Sequence, residues 1–281
     1  VNIFSKEFLT QKMEDWLLLL YDEEKADNTL KRYRTNVTSF ISFVSGKPIH
    51  KDTTRAFKDK ISTIDKYVPN TSNNYLVVVN SFLKFLGYED LCIKIIKVQR
   101  KTSIDDYIDY TDYHRLLRCS LKKSFIRDYL IIRVFGETGI RAAELKYFTV
   151  ENLGPTMSVK NKGKIREITI HRSLLSALRK YCRDNHITSG YIFFGRNRNT
   201  PLHESSVRKI VKRAAGRARV KKSKIHPHSF RHYFAVRYLE AYPEDIVILS
   251  DLLGHESLET TRIYTKLSNM QKEKRLRNVK F

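Results

Sequence analysis

A chain of 281 residues with 41% hydrophobic content can bury a substantial core, and at a prior of about 150 residues per domain it predicts two domains. Its 53 Lys plus Arg outweigh 30 Asp plus Glu, giving a net charge of +23, so the surface field attracts polyanions and nucleic acid is the leading partner. Cys92, Cys119 and Cys182 are too few and too scattered for a disulfide framework or a zinc-ligand spacing, which fits a reducing cytoplasm. The absence of any apolar run of about 18 residues, and of a signal-peptide pattern in VNIFSKEF, predicts neither a membrane span nor secretion.

In chain order, Phe8, Met13, Trp16, Leu17 and Leu20 recur at helical spacing over residues 5–21, and a second amphipathic run covers 29–44, with Asp27 or Asn28 as its expected N-cap. A weaker helix is expected over 51–64. A fourth spans 72–86 and is closed by Gly87, which completes a helical amino-terminal domain over residues 1–93. Residues 94–103, containing the basic IKVQRKTS without helical period, read as a linker to a second domain, 104–281. There, helices are expected over 110–118 and 125–137, before a break at Thr138-Gly139 that Arg141 follows. TMSVKNKGKIREITIH alternates on both sides of residues 161–164 and predicts a β-hairpin with Lys162 at its turn. Further helices are expected over 174–184, 205–218, 229–240 and 243–253.

Candidate chemistry gathers in this second half. In HPHSFRHYFAVRYL, His228 and Arg231 lie three apart on the first turn of a helix and can converge on one phosphate. The imidazole exchanges a proton near neutral pH, and the guanidinium fork matches two phosphate oxygens. Seen alone, the motif is an ordinary helix start with solvated bases. In LLGHESLETTRIYTKL, Gly254 stops a helix, His255 lies just beyond, and a short helix presents Tyr264. A phenol with a pKa near 10 is a poor nucleophile at neutral pH, so it needs a proton acceptor and an electropositive pocket. Any one of 16 tyrosines is ordinarily a packing or surface residue; position within the motif singles out Tyr264. TGIRAAEL adds Arg141 as a second phosphate clamp and Glu144 as its orienting partner, although the pair alone would read as a surface ion pair. A lysine at the hairpin turn can donate a proton to a departing 5′ oxygen, but Lys160 and Lys164 flank Lys162 and the residues alone do not choose among them. Half of residues 207–224 are Lys or Arg and none is acidic, so phosphate contact is expected from Arg208, Lys209, Lys212 and Arg213, with Arg32, Arg34, Lys58 and Lys60 adding contacts from the first domain.

Taken in order, TGIRAAEL, NKGK, HSFRHYFA, LLGHE and TTRIYTKL resemble the motifs of the tyrosine recombinases, the lambda-integrase family, in the simple Xer-like two-domain layout. The resemblance implies a mainly α fold with a small β-sheet in the catalytic domain, two domains clamped around double-stranded DNA, and a 3′-phosphotyrosyl bond made by Tyr264. It assigns Arg141, Lys162, His228, Arg231 and His255 to activating and stabilising that transfer. The choice of Lys162 rests on this resemblance, with Asn161 replacing the first glycine of the family's Gly-Lys-Gly turn. Ala143 stands where the family more often has Ser. No cofactor or metal is implied, because the bond energy is retained in the phosphotyrosine. The family also implies a homotetramer on two DNA sites, with the tail stripe Met270, Leu276, Val279 and Phe281 docking on a neighbouring subunit. The length leaves little room for a further amino-terminal arm-binding domain. Integration, excision, inversion and dimer resolution are all compatible with these motifs. Two rivals remain: a type IB topoisomerase, which would use the same chemistry in a single subunit, and a noncatalytic DNA-binding regulator, which would bind without a covalent adduct.

Overall fold

The computed structural model describes residues 4–64, 67–97, 107–161 and 164–254, with the single positions 261, 264 and 277. The chain divides into two compact units, Val1–Arg100 and Lys101–Phe281, and is mainly helical with one small sheet. No helix among the described residues is long and apolar enough to cross a membrane.

In the first unit, α1 (Lys6–Asp22) starts where the Ser5 hydroxyl accepts the Phe8 N–H at 3.1 Å, and it buries the expected stripe of Met13, Trp16, Leu17 and Leu20 together with Leu9. Phe8, expected on that stripe, is exposed. The second helix, α2 (Asp27–Val44), starts earlier than its pattern indicates. Ala26 is its N-cap without any side-chain cap bond, and Asp27 lies inside the first turn, where its charge faces the positive end of the helix dipole. Next, α3 (Lys51–Asp59) runs into a π-helical turn, Lys60–Ile64, and α4 (Pro69–Phe85) begins with proline at its first turn, where a missing N–H costs nothing.

Two asparagines of α4 hold the chain that follows. The Asn80 side chain bonds the Ile93 N–H and C=O at 2.7 and 2.8 Å, and Asn73 does the same for Ile96 at 2.7 and 2.9 Å. Lys58 Nζ donates to the Lys94 carbonyl at 2.9 Å. The first residues of the expected 94–103 linker are therefore tied to the first unit.

In the second unit, α5 (Tyr110–Ser120), α6 (Ile126–Thr138), α7 (Arg172–Asp184), α8 (Glu204–Ala218) and α9 (Pro227–Ala241) surround one core with the hairpin β1 (Thr156–Asn161) and β2 (Lys164–Thr169). The strands pair antiparallel, Thr156 with Thr169 through Asn161 with Lys164. Met157, Val159 and Ile168 face inward while Ile165 is exposed, as period-2 alternation requires. The turn residues 162 and 163 lie outside the described residues. A last described helix, α10 (Ile246–Leu253), is shorter than the expected 243–253 and closes at Gly254.

Two glycines set the approach of elements that meet at the site. Gly139 ends α6 at φ +62°, and a Cβ there would lie 2.7 Å from the Phe234 ring of α9. Gly254 ends α10, also at φ +62°, and a Cβ there would lie 2.5 Å from Cδ of Arg166. Both positions need the left-handed conformation and the missing side chain.

Candidate active site

The last carbonyls of a helix have no partner within it and carry the negative end of its dipole. At the end of α10 three successive carbonyls are each taken by a different arginine. Arg166 Nη1 donates to Leu252, Arg231 Nη2 donates to Leu253 at 2.5 Å, and Arg141 Nη2 donates to Gly254 at 3.1 Å. These arginines come from β2, from α9 and from the start of a 3₁₀ segment, Ala142–Tyr147, so three distant stretches of sequence converge on one helix end.

Arg231 is the most deeply placed, 1% exposed, and its Nη1 also donates to the Gly139 carbonyl at 2.9 Å. Burial, and then the neighbouring Arg141 charge, push its pKa down to about 10, which leaves it a cation at neutral pH. Its Nε has no hydrogen-bond partner among the described residues. Arg141 remains accessible, with 31% of its side chain exposed.

Glu144 is fully buried and holds this group of cations together. It accepts the Arg141 N–H at 2.8 Å, Arg141 Nη1 at 3.1 Å and Arg166 Nη2 at 2.8 Å. Burial by itself would raise its pKa, but the Arg141 N–H and the two guanidinium groups outweigh that and hold the carboxyl below its usual value. The pair is thus no surface ion pair. One carboxylate against three guanidinium groups leaves a positive site suited to a phosphate.

His228 sits in the first turn of α9, after Pro227 and beside His226, whose ring nitrogen accepts the Ser229 N–H at 3.2 Å. Burial, then Arg231, His226 and Arg141, lower its pKa and favour the neutral imidazole. His228, Arg141 and Arg208 line one cleft of about 550 Å³ with Ala142, Ala143, Glu204, His226 and Pro227. Ala143, where the family more often has Ser, therefore borders the open side of the site.

Tyr264 is buried against Leu249 and Leu253 of α10 and Ala235 and Leu239 of α9. Burial raises the pKa of its phenol, opposed by the nearby Arg231 guanidinium and by the charge of Arg141. The two residues most needed to lower the cost of phenolate formation are thus the ones that face it.

His255 and Lys162, and the tail stripe Met270, Leu276, Val279 and Phe281, lie outside the described residues. The expected DNA contacts divide by environment. Arg208, Lys209, Lys212 and Arg213 are exposed on α8, opposite its buried Val207, Ile210, Val211, Ala214 and Ala215. The rest of that basic run is partly structural, since Arg217 pairs with Asp128 at 2.9 Å and Lys224 with Asp112 at 3.2 Å. In the first unit Arg34 is engaged by Glu14, Lys58 holds the Lys94 carbonyl, Arg32 lies over the Tyr33 ring, and Lys60 falls in the π-helical turn.

Two residues of the site escape a motif-based reading. Arg166 could have been found from the hairpin register, because it shares a face of β2 with the buried Ile168. His232 has no such signal. Its ring lies 5.0 Å from that of Tyr264 and 5.3 Å from that of Tyr107, and burial, then His228, push its pKa down to about 4. Above its ordinary value of 6.5 the ring is neutral in both folded and unfolded chains. Between 6.5 and about 4 only the unfolded chain takes the proton, so stability is lost across that window, by up to about 3 kcal/mol. Denaturant unfolding across this pH range should show the loss in the native chain and a flatter profile in His232→Phe; equal profiles would assign the loss to other groups.

Residues 106–271 match the Phage integrase family. Tyrosine recombinase XerA of Pyrococcus furiosus is 27% identical over 270 residues, covering 94% of this chain and 92% of the relative. Tyrosine recombinase XerH of Campylobacter jejuni is 31% identical over 183 residues, covering 63% of this chain and 50% of the relative. Among solved structures, a XerH site-specific recombinase bound to a palindromic difH substrate in a post-cleavage complex shares the fold, with a TM-score of 0.74 at 17% identity, over 89% of this chain and 79% of that one.

Proposed function

Because this chain belongs to the Phage integrase family, the tyrosine recombinases that cut and rejoin DNA through a phosphotyrosine, we propose that Tyr264 is its nucleophile and that Arg141 and Arg231 bind the scissile phosphate of a double-stranded site. The observation that carries this reading is the burial of Tyr264 between α9 and α10, at the helix end where the buried Arg231 and the accessible Arg141 dock and where their charges oppose the rise in its pKa. The Tyr264 oxygen attacks phosphorus while the bond to the 5′ oxygen breaks. Neutral His228 is in the form that accepts the phenolic proton, and Lys162 supplies a proton to the departing 5′ oxygen. Arg141 and Arg231 hold the extra negative charge of the pentavalent transition state. His255 adds a further donor to that phosphate. A free 5′ hydroxyl from another strand then attacks the phosphotyrosine and releases Tyr264, so the cycle conserves bond number and needs no cofactor.

In this proposal the four exposed bases of α8 contact the DNA backbone, and the amino-terminal unit contributes a second DNA-binding surface. Four subunits act on two DNA sites, in the manner of a simple Xer-type recombinase working in the cytoplasm. The test is to incubate the protein with supercoiled plasmid carrying a library of inserts and to denature the products. A covalent protein–DNA adduct is expected, enriched for one sequence, and two copies of that sequence in one plasmid should recombine. Relaxed circles without sequence enrichment or recombinants would point instead to topoisomerase action, and binding without any adduct to a regulator.

A further inference from the structure

We propose that Arg166 is a positioning residue for DNA cleavage, acting through Glu144 and the end of α10 to set the two phosphate-binding arginines. The inference rests on the site reading above and extends it to a residue that no motif marks. Arg166 stands on β2, and its side chain reaches two other parts of the site. Nη2 donates to the buried Glu144 carboxylate at 2.8 Å, and Nη1 donates to the Leu252 carbonyl, next to the carbonyls that Arg231 and Arg141 take. Its aliphatic stem lies 2.5 Å from where a Cβ on Gly254 would be, so the end of α10 is packed directly on the Arg166 side chain. The guanidinium is largely buried, with 14% of the side chain exposed, and cannot itself serve as an open phosphate contact in the way Arg141 can.

The charge balance explains the function. Arg141 would be repelled by Arg231, and Glu144 offsets that repulsion only while it is ionised. Among the described residues, the charged groups facing Glu144 are Arg141 from the 3₁₀ segment, Arg166 from β2 and Arg231 from α9. Arg166 makes the ion pair that does not depend on Arg141, so it keeps the carboxylate charged when Arg141 turns its guanidinium to a phosphate. Without Arg166, burial dominates and the carboxyl is protonated at higher pH, which releases both the Arg141 backbone and its side chain. The β-hairpin also loses its tie to the helix end.

The experiment compares native protein, Arg166→Met, Arg166→Lys and Tyr264→Phe on a nicked duplex of the sequence recovered from the adduct. It measures single-site binding, unfolding midpoint and the rate of adduct formation from acidic to neutral pH. Arg166→Met is expected to slow adduct formation roughly 10- to 100-fold, the scale of losing support behind a catalytic group, with a much smaller change in binding. The acidic limb of its rate profile should move to higher pH. Arg166→Lys keeps a cation beside Glu144 but cannot also hold Leu252, so its rate should be intermediate and its acidic limb close to native. A native rate in Arg166→Met overturns the inference, and so does a slower rate with an unmoved acidic limb, which would mean a structural role alone. If Arg166→Met does not fold, Arg166→Lys decides: a native rate, or an acidic limb moved far from native, counts against the proposal. An adduct from Tyr264→Phe would overturn the site reading itself and this inference with it, whereas correct behaviour of that control with unaffected Arg166 variants overturns the inference alone.

Discussion

Tyr264→Phe is expected to bind DNA like the native chain and to form no covalent adduct. The substitution removes one oxygen and keeps the ring that packs against Leu249, Leu253 and His232, so folding should change little. The Gly139 and Leu253 carbonyls hold the Arg231 guanidinium in place independently of the hydroxyl. Adduct formation on a nicked duplex, resolved under denaturing conditions, is the measurement. A residual adduct in the Phe variant would assign the nucleophile to another residue.

Arg231→Ala should have the second largest effect, and on two properties at once. Adduct formation should fall by about 100-fold or more, the scale of removing one preorganised donor to the transition state. Stability should fall as well, by about 1–3 kcal/mol for each carbonyl left buried without a donor, less whatever is regained by relieving repulsion from Arg141. Arg231→Lys should not restore either property, because an ammonium lacks the planar fork that reaches Gly139 and Leu253 together. Unfolding and adduct formation measured on the same preparations check both. By contrast, replacing an exposed base of α8 such as Lys212 should weaken binding and its salt dependence with little loss of stability. If Arg231→Ala proved as stable and as active as native protein, the helix-end arrangement would have no energetic role.

Much of this organisation is legible from local pattern. Most of the apolar stripe of α1 recurs at helical spacing, as does that of α8, and the alternation on both sides of residues 161–164 specifies a hairpin, because these signals reside in consecutive residues. The start of α2 was less legible, since Ala26 caps it by backbone conformation alone and Asp27 serves the dipole from within the helix. The basic run before α9 shows why charge is a weaker guide than periodicity. Its sequence is uniformly cationic, yet Arg217 and Lys224 are drawn into ion pairs with Asp128 and Asp112 on other helices, while Arg208, Lys209, Lys212 and Arg213 face outward. Spacing along one helix separates the two sets only once the partner helices are in place.

By itself the sequence determined the helical character of the chain, the hairpin, the helix-ending glycines and the residue types able to handle a phosphate, for each depends on neighbours within a few positions. Tertiary structure decided what those residues are for one another. Arg141, Arg166 and Arg231 are far apart in sequence and meet only because α10 ends at Gly254 and offers three successive carbonyls in one place. Glu144, a surface residue by local pattern, becomes a buried counter-charge because two of those arginines close over it. Long-range burial is what turns ordinary arginines into a preorganised positive site: water is excluded, the carbonyls and one carboxylate hold the cations against their mutual repulsion, and the remaining positive charge faces Tyr264.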